Sequence, residues 1–389
     1  MLSLLLGAAL CDKWAVIYTG SRSWSNYRHT ADSFYQYHIL IENGFDKNKI
    51  ILMNYDDIAT ASRNPYQGQI FRTLSHDPNV YPGAENIKYT GNTVTAKNFY
   101  NVLLGDTTNG PALASTENDN VFVFFDDHGG SGILGVPDGC GAYIYADDLQ
   151  KTFEQMAEKK MFKYLFFAIT ACYAGSVANH LENIPNMYTM TASNDHESSW
   201  GALYDSTLGT CLTSEYSLIK DQFMEQYPDG TLAEMYTYCV DGVKQSNVCE
   251  FGDKTLKSLK ISDFVGKANK QRKVSRLSGP IIKVKNTRAI LGQAELSHNE
   301  ELVAAELAAE KRVDQIIDVL KNKFVADADE DFTAYTPIKD WAAYKKVLGA
   351  MQTYVKNLGE SFYEKTFFFS HLIKFADADK IVETIKNLC

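Results

Sequence analysis

Along the first two-thirds of the chain, hydrophobic positions fall in short unbroken runs rather than in strict alternation. WAVIYTG (14–20), KIILMNYD (49–56), NVFVFFDDHGG (120–130), KYLFFAITACYAG (163–175) and NMYTMTASN (186–194) are rich in β-branched and aromatic residues and end in polar or small ones. Runs of this kind predict buried strands. Near-continuous hydrophobicity suits strands covered on both faces, as in a parallel sheet. Between them, ADSFYQYHILIENG (31–44), TAKNFYNVLLG (95–105) and ADDLQKTFEQMAEKK (146–160) carry apolar residues at helical spacing. Strand and helix in alternation imply an α/β fold, a mostly parallel central sheet flanked by helices. Such sheets bind ligands at the carboxyl ends of their strands.

The pattern changes after Gly266. GKANKQRKVSRLSGPIIKVKNTR (266–288) has many Lys and Arg, no acidic residue and a Gly-Pro break. It reads as a solvated linker, with a basic binding patch as the other reading. Beyond it, HNEELVAAELAAEKRVDQIIDVLKNKF (298–324), DWAAYKKVLGAMQTYVKNLG (340–359) and ADKIVETIKNL (378–388) have helical spacing and predict a small all-α domain. The division expected is 1–10 signal peptide, 11–266 α/β domain, 267–298 basic linker and 299–389 helical domain.

Length and charge narrow the function. At 389 residues two domains are expected. A formal charge of −10 excludes nucleic acid as the main partner, because a phosphate-binding surface concentrates Lys and Arg. The opening MLSLLLGAALC resembles the apolar core of a secretory signal, with a buried N-terminal strand as the alternative. It is too short to span a bilayer, and no other run is long and apolar enough. No C-x-x-C pair or His-x-x-x-His spacing is present, so neither a metal nor a cofactor is expected. Seven cysteines leave at least one thiol unpaired. Cys239 and Cys249 are close enough in sequence to close a small loop, although spacing does not establish pairing.

Two predicted strands end in chemically suggestive residues. One finishes FFDDHGG, with His128; another finishes ITACYAGS, with Cys172. If those strands are parallel neighbours, imidazole and thiol meet at the carboxyl edge of the sheet. A thiol with a reference pKa of about 8.5 is mostly protonated at pH 7. A neighbouring imidazole takes its proton and later protonates a leaving amine. Gly129, Gly130, Ala174 and Gly175 allow close backbone approach. Cysteine is also among the most buried residue types, so packing stays open for Cys172, as does an ordinary turn for His128.

SNYRHTAD (25–32), DDHGGSGIL (126–134), TACYAGS (170–176) and TASNDHESSW (191–200) resemble, in order and spacing, the legumain family of cysteine endopeptidases. The resemblance implies a caspase-like fold, cleavage of protein and peptide substrates after asparagine, and a helical C-terminal pro-domain that inhibits the enzyme until acid-triggered autocleavage. It implies Cys172 as nucleophile, His128 as general acid/base and Asn26 as its orienting partner. The amides of Gly129 and Cys172 would hold the oxyanion. In the specificity pocket Arg28, His29 and Ser198 match the family pattern. Thr170 and Ser214 stand where acidic residues are expected, which leaves fewer carboxylates beside Arg28 and favours a gain in tolerance for aspartate. Autocleavage would fall after Asn299, with Asn286 as second candidate. Glu300, Glu301 and Glu306 would protonate in acid and loosen the pro-domain. The family implies a secretory route to a lysosome- or vacuole-like compartment or the cell surface, and protein inhibitors as further partners. The alternatives are a glycosylphosphatidylinositol transamidase-like subunit, a peptide ligase and a catalytically silent binding homologue.

Overall fold

The computed structural model describes residues 12–267 and 284–389. The expected signal peptide and residues 268–283 of the basic linker lie outside them. Parallel strands β1 (Lys13–Thr19), β2 (Ile50–Met53), β3 (Asn120–Asp126), β7 (Tyr164–Thr170) and β8 (Met187–Thr191) join an antiparallel edge strand, β11 (Cys249–Gly252), in the order β11-β8-β7-β3-β1-β2. Two small sheets accompany this one. One has β4 (Gly129–Gly130), β5 (Ile133–Leu134) and β6 (Ile144–Tyr145); the other orders β10 (Thr210–Ser214), β9 (Trp200–Asp205) and β12 (Val284–Lys285).

The unbroken hydrophobic runs now have their reason. Successive side chains of a strand face opposite sides, and both sides are covered. Ala15, Ile17, Phe122, Phe124 and Phe166 share one core with residues of α1 (Tyr27–Glu42), α5 (Glu215–Gln226), α6 (Leu232–Gly242) and α7 (Ser262–Val265). Val16, Tyr18, Val121, Val123, Phe125 and Phe167 face a second core with α2 (Ala96–Leu103), α3 (Ala146–Glu158) and α4 (Gly175–Ala178). A third core joins α9 (Glu300–Phe324), α10 (Trp341–Tyr354), α11 (Phe362–Leu372) and α12 (Ala378–Leu388) to Ile133, Tyr143 and Tyr145 of the α/β domain. Helix α8 (Ala289–Leu296) precedes them.

Two expectations change. The described part of the linker is not a solvated tether: Val284 and Lys285 pair with Gly201 and Trp200, and α8 follows at once. Cys239 and Cys249 are not bridged; the six cysteines among the described residues are all free.

Charge is also buried. Arg72 lies across Asp32 and Asp221, at 2.6 and 2.8 Å, and over the ring of Tyr35. Asp32 in turn accepts from the amide of Ser214 and the hydroxyl of Thr213, so this ion cluster ties α1 to β10. Removing one partner of such a cluster leaves uncompensated buried charge. Arg72→Met is expected to lower stability by about 3–5 kcal/mol, read as a drop in the denaturant midpoint at unchanged slope.

Candidate active site

The last paired position of β3 and β7 is Asp126 with Thr170, and two residues further on the adjacent strands present His128 and Cys172. The backbones close on each other there: a Cβ on Gly129 would lie 2.3 Å from the carbonyl oxygen of Cys172, which only glycine avoids. Tyr173 then takes a φ of 53°, rare for a residue with a side chain, and turns the chain towards α4.

The His128 tautomer follows from its neighbour. Asn26 Nδ2 donates to the carbonyl of Arg22 at 2.9 Å, so its Oδ1 faces His128 Nε2, also at 2.9 Å. Oδ1 only accepts, which puts the imidazole proton on Nε2 and leaves Nδ1 free to act as a base. Asn26 could have capped α1, but it makes no capping bond and spends its amide on His128. Burial, and then the charge of Arg28, push the imidazole well below its ordinary pKa, so it is neutral.

Cys172 is fully buried and its sulfur lies 3.0 Å from Ser198 Oγ. Because the Ser198 hydroxyl donates to the Ser199 carbonyl, the thiol proton points at Ser198. The Ser199 amide donates to the sulfur at 3.3 Å. Burial pushes the thiol up, and the hydrogen bonds from Ser198 and Ser199 pull it only part of the way back. Among the described residues His128 Nδ1 has no hydrogen-bond partner. Both groups are neutral; the thiol is engaged by Ser198 and Ser199, and the imidazole keeps Nδ1 free.

The arginine of the predicted pocket is fully buried, and the side chain it holds comes from this same chain. Arg28 Nε donates to Asn286 Oδ1 at 3.0 Å, and Asn286 Nδ2 donates to Ser199 Oγ at 2.9 Å. The Asn286 amide donates to the Ser199 carbonyl at 3.0 Å, continuing the antiparallel pairing of β12 with β9. Gly201 keeps the pocket open, since a Cβ there would come within 3.3 Å of both Arg28 and Asn286. Asn299 is used elsewhere, capping α9 through Leu302.

The other predicted pocket residues make no hydrogen bond to Asn286 and have partners of their own. His29 Nδ1 lies 2.7 Å from Ser21 Oγ and 3.3 Å from Asp127, and its ring stands edge-on to His128. Thr170 Oγ1 meets Ser217 Oγ at 2.8 Å, and Ser217 donates to Asp126. A carboxylate missing from position 170 is thus present one strand away. Burial pushes Asp126 well above the ordinary carboxyl range; Asp32 adds to this, and Ser217 and Arg28 oppose it. Ser214 offers its amide to Asp32.

The helical domain covers all of this. Tyr363 stacks on His128 at 5.3 Å, and Phe367 packs on Tyr173 and Cys172. Glu360 accepts from the Ile290 amide and reaches within 3.3 Å of His128 Nε2 and 4.0 Å of Arg28 Nη2. Burial pushes its carboxyl up to about 8, with Arg28 opposing. A carboxyl raised on docking favours the docked state at low pH and opposes it as pH climbs towards that value. Glu360 therefore works against the acid release expected from the family resemblance.

A thiol beside a neutral imidazole at a sheet edge, with a peptide strand paired alongside, is the arrangement of a cysteine endopeptidase. The model of the Peptidase C13 family matches residues 13–267. Legumain of Mus musculus is 31% identical over 100% of this chain and 94% of its own. Legumain of Bos taurus is 32% identical over 94% and 90%, and the vacuolar-processing enzyme delta-isozyme of Arabidopsis thaliana 34% over 66% and 58%. Caspase-1 of Spodoptera frugiperda, a solved structure, is 13% identical at a TM-score of 0.38, covering 67% of this chain and 92% of that one. The chain belongs to the Peptidase C13 family and is a legumain-like cysteine endopeptidase.

Sequence reasoning missed Ser199, Gly201, Asp126 and Glu360. A glycine interrupting the apolar run WGALY was a signal for Gly201; Glu360 had none. Asn26→Ala removes the acceptor that holds the His128 proton on Nε2. Turnover of an activated preparation should fall by up to roughly 100-fold with KM little changed, separating loss of positioning from loss of binding.

Proposed function

We propose that this protein is a self-inhibited asparaginyl endopeptidase that carries its own substrate in the pocket, with Asn286 as the residue after which it cuts itself. The single observation behind this reading is the seating of Asn286 between Arg28 and Ser199, with Val284 and Lys285 paired to β9. In the reaction His128 Nδ1 takes the thiol proton of Cys172, and the thiolate attacks the main-chain carbonyl carbon of the asparagine. The amides of Gly129 and Cys172 stabilise the oxyanion. Collapse expels the amine with the proton from His128, and water hydrolyses the thioester.

The pocket geometry also supports tolerance for aspartate. Arg28 donates to one terminal oxygen, and the Ser199 hydroxyl, here an acceptor, can turn to donate to a second. Relatives named legumain that match along the whole chain favour the endopeptidase over the transamidase reading. A relative named for vacuolar processing and the apolar N-terminal run support a secretory route to an acidic compartment. No helix among the described residues is long and apolar enough to cross a membrane.

This reading predicts where the chain breaks. Incubation in acid should release a C-terminal fragment beginning at Thr287, seen by intact mass and N-terminal sequencing. Asn286→Gln, one methylene longer, should slow that cut by roughly 10- to 200-fold, while Asn286→Asp should leave a slower but measurable cut. A fragment beginning at Glu300 would instead restore Asn299.

Acid release needs a group whose pKa is lowered by the docked helices, and Lys345 acts on Asp147 in that direction. Lys345 of α10 lies 2.7 Å from Asp147 and 2.6 Å from Asp148. Lys151 of α3 reaches the same carboxylates, and His180 lies close enough to feel Asp147. Burial raises Asp147, but Lys345 and Lys151 outweigh it and the net shift is downward. A lowered carboxyl stabilises docking above its ordinary value of 3.8 and loses that contribution as pH falls through the docked value. Glu300 and Glu301 are exposed at the start of α9, and burial raises the carboxyl of Glu306, the direction that opposes acid release. Lys345→Met should weaken the cover by about 1 kcal/mol at neutral pH and flatten the acid end of the pH dependence, measured as the rate at which a protease clips the helical domain away.

A further inference from the structure

The reaction just described leaves His29 and Asp127 without a part to play. Both are fully buried beside His128, and the three side chains each bring one possible ligand atom to within 4.8 Å of the others. His29 Nδ1 is 3.3 Å and His128 Nε2 3.9 Å from Asp127 Oδ1. Ligand bonds of about 2.0–2.2 Å in a tetrahedral zinc site set neighbouring ligand atoms about 3.4 Å apart, so small rotations of these side chains would suffice.

The site also has polar atoms to spare. The carboxylate oxygens of Asp127, and nearby Asp126 Oδ1 and Glu360 Oε1, have no hydrogen-bond partner among the described residues. The nitrogens nearest Asp127, His29 Nδ1 and His128 Nε2, meet Ser21 and Asn26 and would exchange those bonds for the ion. Burying unpaired polar groups costs free energy, and a divalent cation would give the Asp127 carboxylate a partner. Two neutral imidazoles and a carboxylate are a ligand set suited to zinc. Of the three, His128 lines a cavity of about 660 Å³ together with Ser21, Asn26, Glu360 and Tyr363, which leaves room for a water as fourth ligand on that side, while His29 and Asp127 are fully buried.

We infer that His29, Asp127 and His128 form a zinc site whose occupancy silences the peptidase. Bound through Nε2, His128 must give up its hydrogen bond to Asn26 and carry its proton on Nδ1, the atom the reaction needs as base. The silencing rests on the proposed role of His128; the binding does not.

The test uses the full chain as Cys172→Ala, which removes the thiol as a ligand and prevents self-cleavage. The protein is stripped with a chelator, desalted and titrated with zinc by calorimetry, with thermal melting in parallel. One equivalent should bind and raise the melting temperature. His29→Gln in the same background should bind more than about tenfold more weakly and show no such rise. Apo melting and circular dichroism check that the variant folds, and Asp127→Asn supplies the same comparison if it does not. Equal affinity with and without His29, or no binding in the Cys172→Ala chain, overturns the site. An activated wild-type enzyme that stays active with zinc fully bound overturns the silencing, while inhibition reversed by chelator supports it.

Discussion

Arg28 carries a permanent charge into a place without water, and much of the molecule is arranged around that fact. A fully buried guanidinium must find acceptors or destabilise the fold. It finds the Ser25 carbonyl and the side chain of Asn286, and Glu360 lies 4.0 Å away. These belong to three separate parts of the chain: the start of α1, the linker and the helical domain. Holding one charge in common, they lock the helical domain to the α/β domain at the spot where a substrate side chain would be read.

The same burial would account for the proposed latency without any distortion of the candidate dyad. Water exclusion raises the thiol of Cys172 and lowers the imidazole of His128, so proton transfer between them is opposed from both sides. The S–H is turned to Ser198, and Tyr363 and Phe367 close the space over both residues. Uncovering the site returns water, relaxes both shifts and frees Arg28 for an incoming side chain. The proposed inhibition and specificity thus share one set of contacts.

Much of this site was legible in the sequence because its parts lie at the ends of strands. Cys172 and His128 each follow a hydrophobic run, and Asn26 and Arg28 sit in one short polar motif at the start of α1. Other parts were out of reach for a physical reason. Ser198 and Ser199 are neighbours of one type, and only the path of β9 decides that the first meets the thiol while the second meets Asn286. Asn286 and Asn299 both looked suitable; one became a helix cap and the other filled the pocket.

The sequence by itself determined the layered α/β sheet, the helical C-terminal third and the strand-end chemistry, since periodicity and local motifs act over a few residues. Tertiary structure decided the occupant of the pocket, the carboxylate one strand over from Thr170 and the reach of Glu360 into the site. Those outcomes turn on contacts between residues far apart in the chain, such as the 258 positions separating Arg28 from Asn286. They also turn on which buried charges can be answered at once, a balance that no local pattern records.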